Sequence, residues 1–220
     1  MKIHLFKSLL LFIGVIFTSH CFAQPFADEI LQFKKQDASN PPPANAILFV
    51  GSSSFRKWTD VANYFPGYTI INRGFGGSSL PDLIRYAPDI IYPYHPKQIV
   101  IYCGDNDFAV DHSPGADTVF ERFKTLFELI RANLPGENIV YVSIKGSPSR
   151  IQYREKIEKA NLLIQTYLSL QQHAVFIDVF HKMLNPDGSF MTDIFLEDML
   201  HMNAKGYAIW QKAIAPYLLK

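Results

Sequence analysis

The feature of this chain that most restricts its fold is an alternation of short apolar runs with amphipathic segments. Five runs rich in Ile, Val, Phe and Tyr are apolar at nearly every position, which is typical of strands buried on both faces of a parallel sheet. They occupy residues 46–50, 69–71, 98–102, 138–143 and 174–178. The first strand is expected to end at Gly51.

The segments between these runs have the spacing of amphipathic helices. They cover residues 27–36, 118–133, 150–171 and 204–219, and Asn203 is a suitable N-cap for the last. The alternation predicts one α/β domain, a three-layer α/β/α sandwich with a central parallel sheet of about five strands. Ligands of such folds bind at the carboxyl ends of the strands, so functional residues are expected in the loops there.

The charge balance of the chain bears on its partners. The 220 residues carry a formal net charge of +1, and the composition is that of an ordinary globular protein. This balance gives no electrostatic reason to expect a nucleic-acid partner or an anionic membrane surface.

Residues 1–23 have the layout of a secretory signal peptide. Lysines precede an apolar run at 8–17, and Cys21-Phe22-Ala23 places small residues where a signal peptidase reads them. We therefore expect a mature domain of residues 24–220 that is secreted or periplasmic and has no membrane span. The alternative is an uncleaved N-terminal anchor, although the run is short for a span. Cys103 is the only cysteine after residue 23, which excludes an internal disulfide and favours a buried thiol.

Three serines follow the first predicted strand directly, in the order Gly51-Ser52-Ser53-Ser54. A hydroxyl at this point lies at the sheet edge, where the N–H groups of the following helix face a developing anion. The pattern predicts either a nucleophile or an ordinary serine N-cap.

The next two strand-end loops offer hydrogen-bond donors at the same edge. Gly74-Phe75-Gly76-Gly77 either lets backbone N–H groups approach a ligand or forms a turn with positive φ. Gly104-Asp105-Asn106-Asp107 provides the side-chain N–H of Asn106 for an oxyanion. The alternatives for this loop are a plain turn and a metal site, which would need more oxygen ligands than the stretch contains.

Asp198 precedes His201 by three residues, a spacing that lets the carboxylate orient the imidazole. The alternative is an ordinary polar loop before the last helix. None of the remaining histidines of the mature chain has a carboxylate in this arrangement. His173 is interpreted as lying near the predicted strand 174–178, and His95, His112 and His181 as surface or packing residues.

Together these segments resemble the SGNH (GDSL-type) hydrolase family. Gly51-Ser52-Ser53 is similar to the Gly-Asp-Ser block, and Gly74-Phe75-Gly76-Gly77 to the block with the oxyanion glycine. Gly104-Asp105-Asn106-Asp107 matches Gly-x-Asn-Asp, and Asp198-Met199-Leu200-His201 matches Asp-x-x-His. The resemblance covers about residues 47–217 and includes SIKGSPSR at 143–150, which is similar to a loop of bacterial members. The chain departs from the family at Ser52, where the usual residue is Asp.

The resemblance implies a flavodoxin-like SGNH hydrolase fold and a serine esterase that needs no metal and no organic cofactor. Ser53 is then the nucleophile, His201 the general base and Asp198 the carboxylate that orients it. The oxyanion hole consists of the N–H groups of Ser53 and Gly77 and the side chain of Asn106.

The expected partner is a small-molecule, carbohydrate or lipid ester. A short acyl group such as acetate on a sugar or similar alcohol is the first expectation. The alternatives are a lysophospholipase or thioesterase that acts on lipids, and a non-catalytic binding protein that retains the pocket. The oligomeric state is left open.

Overall fold

The computed structural model describes residues 24–110 and 114–220. The predicted signal peptide and His112 therefore lie outside the described residues. A single sheet of five parallel strands, in the order β2-β1-β3-β4-β5, forms the centre of the molecule. Its strands are β1 (Ile47–Gly51), β2 (Ile70–Gly74), β3 (Gln98–Tyr102), β4 (Asn138–Val142) and β5 (Ala174–Ile177). The predicted parallel sheet is confirmed, and β1 ends at Gly51 as expected.

Seven α-helices are present in the described part of the chain. They are α1 (Ala27–Ser39), α2 (Ser53–Arg56), α3 (Val61–Tyr64), α4 (Leu80–Ile90), α5 (Ala116–Asn133), α6 (Arg154–Ser169) and α7 (Ala204–Ile214). Helices α1, α4, α5 and α6 contribute to one apolar core, and α2, α3 and α7 to another. Alternate side chains of β1 enter the two cores, Leu48 and Val50 on one face and Ile47 and Phe49 on the other. This division confirms the three-layer α/β/α arrangement.

Helix α4 was not among the predicted elements. It contains Pro81 in its first turn and Pro88 in its last, and proline weakens a helical pattern in sequence. Pro81 is tolerated because the first N–H groups of a helix have no intrahelical acceptor. Ser79 and Asp82 complete a capping box, in which the Asp82 carboxylate accepts from the Ser79 N–H at 2.9 Å.

All four predicted helices differ from the structure at one or both ends: α1 extends to Ser39 and α5 begins at Ala116, and the larger differences are in α6 and α7. The helix expected over 150–171 begins at Arg154, because Pro148–Tyr153 forms 3₁₀ turns in which Arg150 is non-helical. The last helix ends at Ile214, and a 3₁₀ turn containing Pro216 follows it. The N-cap prediction is confirmed, since the Asn203 side chain accepts the Lys205 N–H at 2.9 Å.

An aromatic cluster joins the segment after Ser53 to helix α7. Trp58 stacks on Tyr207 with ring centroids 4.7 Å apart, and Trp210 contacts Phe55 edge to face at 5.9 Å. The Tyr207 hydroxyl donates to the Ser54 carbonyl at 2.9 Å. These contacts hold the start of α2 against the helix that follows His201. No described helix is long and apolar enough to cross a bilayer.

Candidate active site

The loops at the carboxyl ends of β1 and β2 are tied together by the carbonyl of Gly51. It accepts the Phe75 N–H at 2.9 Å and the Ser78 hydroxyl at 3.4 Å. Gly51 itself must be glycine, because a Cβ there would lie 1.9 Å from the Tyr102 carbonyl oxygen. The glycine thus lets the chain turn into α2 while it stays in contact with β3.

Ser53 is the serine that faces His201. Its Oγ lies 3.0 Å from the His201 Nε2 atom, across 148 residues of sequence. Ser52 and Ser54 are buried, whereas Ser53 is half-buried. Ser52 is the N-cap residue of α2 but makes no side-chain capping hydrogen bond. Of the three serines, Ser53 therefore combines access to solvent with a hydrogen bond to an imidazole.

Asp198 folds back onto His201 in a tight turn. The Asp198 Oδ2 atom lies 2.5 Å from His201 Nδ1, and Oδ1 accepts the backbone N–H groups of Leu200 at 3.0 Å and His201 at 2.9 Å. Desolvation acts to raise the pKa of Asp198, but the hydrogen bonds from His201 and Leu200 hold it well below its usual value. The carboxylate is therefore ionised and can fix the imidazole with a proton on Nδ1.

The three sequence-predicted oxyanion donors come from loops that contact one another. Asn106 Nδ2 donates to the Ser78 carbonyl at 2.9 Å, which places this side chain beside the Gly77 loop. Gly77 has a φ of 76°, so the loop makes the predicted positive-φ turn as well. Neither the Ser53 N–H nor the Gly77 N–H has a hydrogen-bond acceptor within the described residues. Both groups remain available to a ligand.

Both acidic residues of the Asn106 loop are engaged by cations. Asp105 Oδ2 lies 3.4 Å from Lys145 Nζ and 3.3 Å from Arg150 Nη1. Asp107 contacts Arg122 Nη1 at 2.8 Å and accepts the Leu80 N–H at 2.9 Å. The ion pairs with lysine and arginine thus account for the presence of both carboxylates without a metal ion. Residues 24–110 and 114–220 contain no group of three or more His, Cys, Asp or Glu suited to a metal ion.

The interpretation of His181 as lacking a carboxylate partner is wrong. Asp178 precedes His181 by three residues, and its Oδ2 lies 2.7 Å from His181 Nδ1. Asp178 also accepts the His181 backbone N–H at 3.1 Å, as Asp198 does for His201. The two pairs share their spacing, but the structure brings Ser53 to His201. The exposed His181 pair could have been read from the sequence by the same spacing rule.

The sequence patterns did not predict a role for two further residues at this edge, Lys145 and Arg150. They lie in the segment 143–150 after β4, and Arg150 Nη2 donates to Asn106 Oδ1 at 2.8 Å. Their partners are about 40 residues away in sequence, so only the fold reveals the contact. Cys103, in contrast, is fully buried, and burial raises the pKa of its thiol well above the usual value.

The sequence matches a family model over residues 45–209, that of the GDSL-like lipase/acylhydrolase family. The chain belongs to this family. The match spans the whole set of loops described above, from β1 to α7. As a member of this family the protein is an ester-hydrolysing enzyme of the hydrolase class. No curated protein is similar enough in sequence to match.

Several solved structures share the fold at low sequence identity. A Streptococcus pneumonia protein, provisionally described as a platelet activating factor, is 22% identical with a TM-score of 0.75 and covers 87% of this chain and 92% of its own. A GDSL-like lipase from Bacteroides thetaiotaomicron is 19% identical, with a TM-score of 0.72 and coverages of 85% and 95%. The acetylxylan esterase Axe2 from Geobacillus stearothermophilus is 13% identical, with a TM-score of 0.62 and coverages of 80% and 95%. At these identities the similarity supports the fold.

Proposed function

We propose that the protein is an exported serine esterase that hydrolyses carboxylic esters through an acyl-enzyme. The observation that carries the proposal is the line of contacts from Asp198 through His201 to Ser53. It joins a carboxylate, an imidazole and a hydroxyl at 2.5 and 3.0 Å. This is the arrangement that activates a serine hydroxyl for attack.

In the first half of the reaction, Ser53 Oγ attacks the ester carbonyl carbon and His201 Nε2 takes the hydroxyl proton. The tetrahedral intermediate collapses when His201 returns this proton to the leaving alcohol. A water molecule then gives a proton to His201 Nε2 and attacks the acyl carbon. The second tetrahedral intermediate releases the carboxylic acid as His201 returns this proton to Ser53 Oγ. Asp198 holds the imidazole tautomer and stabilises the imidazolium in both halves.

The negative charge of each tetrahedral intermediate is placed at the N–H groups of Ser53 and Gly77 and the Asn106 amide. The two backbone donors lack acceptors among the described residues, and one N–H of the Asn106 amide remains after its bond to Ser78. Preorganised donors of this kind typically contribute about 100- to 1,000-fold each to turnover.

The preferred substrate is an ester of a short acyl group such as acetate, carried by a sugar or a similar alcohol. In support, the connections around Ser53 are short, and an acetylxylan esterase is among the proteins with this fold. A specific observation favours the second candidate, a lysophospholipid or thioester. Leu196 and Met199 beside the Asp198–His201 turn are exposed apolar side chains that an acyl chain would cover. A binding protein without catalysis has no use for the contact between Ser53 and His201.

A chain-length series of p-nitrophenyl esters, run beside acetylated sugars and a lysophospholipid, tests the substrate class. We expect the highest kcat/KM on acetyl esters and a steep fall with longer chains. A maximum at long chains would favour the lipid alternative. Ser53→Ala should be inactive on every ester, and equal hydrolysis by this variant would overturn the proposed function.

Export is the second part of the proposal. It rests on the sequence pattern of residues 1–23, with cleavage expected after Ala23. Mass spectrometry of protein recovered from the periplasm or medium should find an N-terminus at Gln24. An intact Met1 form in the cytosol would contradict export.

A further inference from the structure

The segment 143–150 after β4 reaches the active site but has no part in the proposed chemistry of Ser53, His201 and Asp198. It is held firmly at its start, because Asn161 on α6 bonds both the N–H and the carbonyl of Ile144 at 2.8 Å. Near its end, the Ser149 N–H donates to the Met199 carbonyl at 3.2 Å, inside the Asp198–His201 turn. The segment therefore connects α6 to the catalytic turn.

Two cations of this segment surround one carboxylate. Asp105 and Lys145 are almost fully buried, and Arg150 is mostly buried. Burial alone would raise the pKa of Asp105, but the charges of Lys145 and Arg150 hold it below its usual value. The group thus combines two positive charges and one negative charge close to the proposed oxyanion site.

The burial of this charged cluster stabilises the fold less than apolar side chains of similar volume would. Burying charges carries a desolvation cost that well-packed apolar side chains would avoid. The hydrogen bonding is also incomplete: Arg150 Nη1 lies 3.3 Å from Asp105 Oδ2 but makes no hydrogen bond, and Asp105 Oδ1 is buried without a hydrogen-bond partner in the described structure. A role beyond packing is therefore expected of the group.

The contact that gives Arg150 such a role is its hydrogen bond to Asn106. The Asn106 amide has two different ends: Oδ1 accepts from Arg150 Nη2 at 2.8 Å, and Nδ2 donates to the Ser78 carbonyl at 2.9 Å. If the amide rotated by half a turn, its N–H groups would face the guanidinium and its oxygen would face a carbonyl. Arg150 and Ser78 together thus allow one orientation of the amide.

We propose that Arg150 is a positioning residue that fixes the Asn106 amide with a free N–H directed to the oxyanion. Asp105 and Lys145 hold the guanidinium in place for this task. The proposal rests on the proposed esterase function and adds to it a residue that does not touch the substrate. Loss of Arg150 should lower kcat, because the oxyanion that the Asn106 amide stabilises is formed on the way to the transition state and is absent from the bound substrate.

A double-mutant cycle in steady-state kinetics with p-nitrophenyl acetate tests this role. We expect Asn106→Ala to lower kcat about 100-fold and Arg150→Met to lower it about tenfold, as for one lost hydrogen bond to a charged group. KM should change little in both variants. The double variant should be no slower than Asn106→Ala, because Arg150 acts through that amide.

Arg154→Met is the matched control, because Arg154 lies four residues further on and contacts Glu158 and the Gly188 carbonyl instead. It should keep the wild-type kcat. Thermal unfolding of every variant identifies a folding defect. If Arg150→Met lowers the Tm strongly, Arg150→Lys keeps a positive charge beside Asp105 and replaces it in the same cycle.

The positioning role is overturned if Arg150→Met has the wild-type kcat, or if the double variant falls by the product of the two single effects. Failure of the proposed function has a different signature. In that case Ser53→Ala retains activity. If Ser53→Ala is inactive and the effects of the Arg150 and Asn106 substitutions are additive, only the role of Arg150 is refuted.

Discussion

Trp58 and Tyr207 stack with ring centroids 4.7 Å apart and an interplanar angle of 22°. Trp58 lies five residues after Ser53, and Tyr207 lies six residues after His201. The two proposed catalytic residues lie 148 residues apart in the chain, and this stack joins the segments that carry them. We therefore expect the 3.0 Å separation between Ser53 Oγ and His201 Nε2 to depend on this packing.

Trp58→Ala should therefore affect both stability and turnover. Removal of a buried aromatic ring typically costs about 3–5 kcal/mol, and the cavity releases the start of α2 from α7. Urea unfolding measures the first effect, and kcat under folding conditions measures the second. Tyr207→Phe is the milder counterpart, because it keeps the ring and loses only the bond to the Ser54 carbonyl, at a cost of about 1 kcal/mol. Equal stability of Trp58→Ala and wild type would contradict the packing account.

Asp105→Asn should destabilise the protein strongly at neutral pH. The substitution leaves Lys145 and Arg150 buried without their carboxylate, and removing one partner of a buried ion pair typically costs about 3–5 kcal/mol. The pKa of Asp105 is lowered in the folded state. Its contribution is thus complete above the unfolded pKa, near 3.9, and is lost as the pH falls through the lower folded value.

Urea unfolding of wild type and Asp105→Asn between pH 7 and pH 3 measures this contribution. The stability difference between the two proteins should narrow as the pH falls below about 4. A difference that stays constant over this range would show that Asp105 is not held as a carboxylate by its two cations.

The two Asp-x-x-His pairs of this chain provide an internal comparison for the proposed general base. His201→Ala should lose most of the turnover, and Asp198→Ala should lose less, because a poorly oriented imidazole can still accept a proton. His181→Ala and Asp178→Ala remove a pair with the same spacing, and both should keep the wild-type kcat. Ester hydrolysis by His201→Ala at the wild-type rate would refute the assignment and favour a binding protein.

The fold could be predicted from the sequence where a local pattern determines the structure. Buried strands such as β3 and β4 are continuous apolar runs, and Asn203 caps α7 as its residue type favours. Helix α4 could not be recognised in this way, because its two prolines argue against a helix. The 3₁₀ turns before α6 follow from Pro148 and the non-helical Arg150, which the amphipathic pattern conceals.

The candidate site could be predicted from the sequence for a different reason. The sequence motifs that contain its residues lie at the ends of predicted strands. The structure brings Ser53, His201 and Asp198 together and places Asn106 beside the Gly77 loop. Spacing alone does not make such a site, as the exposed pair of Asp178 and His181 shows. The contact of Arg150 with Asn106 spans 44 residues and depends on the path of the loop after β4. Such a contact leaves no pattern in the local sequence.

The identity of the serine that carries the acyl group decides the proposed mechanism most directly. Labelling with a fluorophosphonate, followed by proteolysis and peptide mass spectrometry, locates the reactive hydroxyl within the run Ser52–Ser54. We expect a single adduct on Ser53, no adduct in Ser53→Ala, and normal labelling of Ser54→Ala. An adduct on the buried Ser52 or Ser54, or labelling of Ser53→Ala at the wild-type rate, would contradict the account.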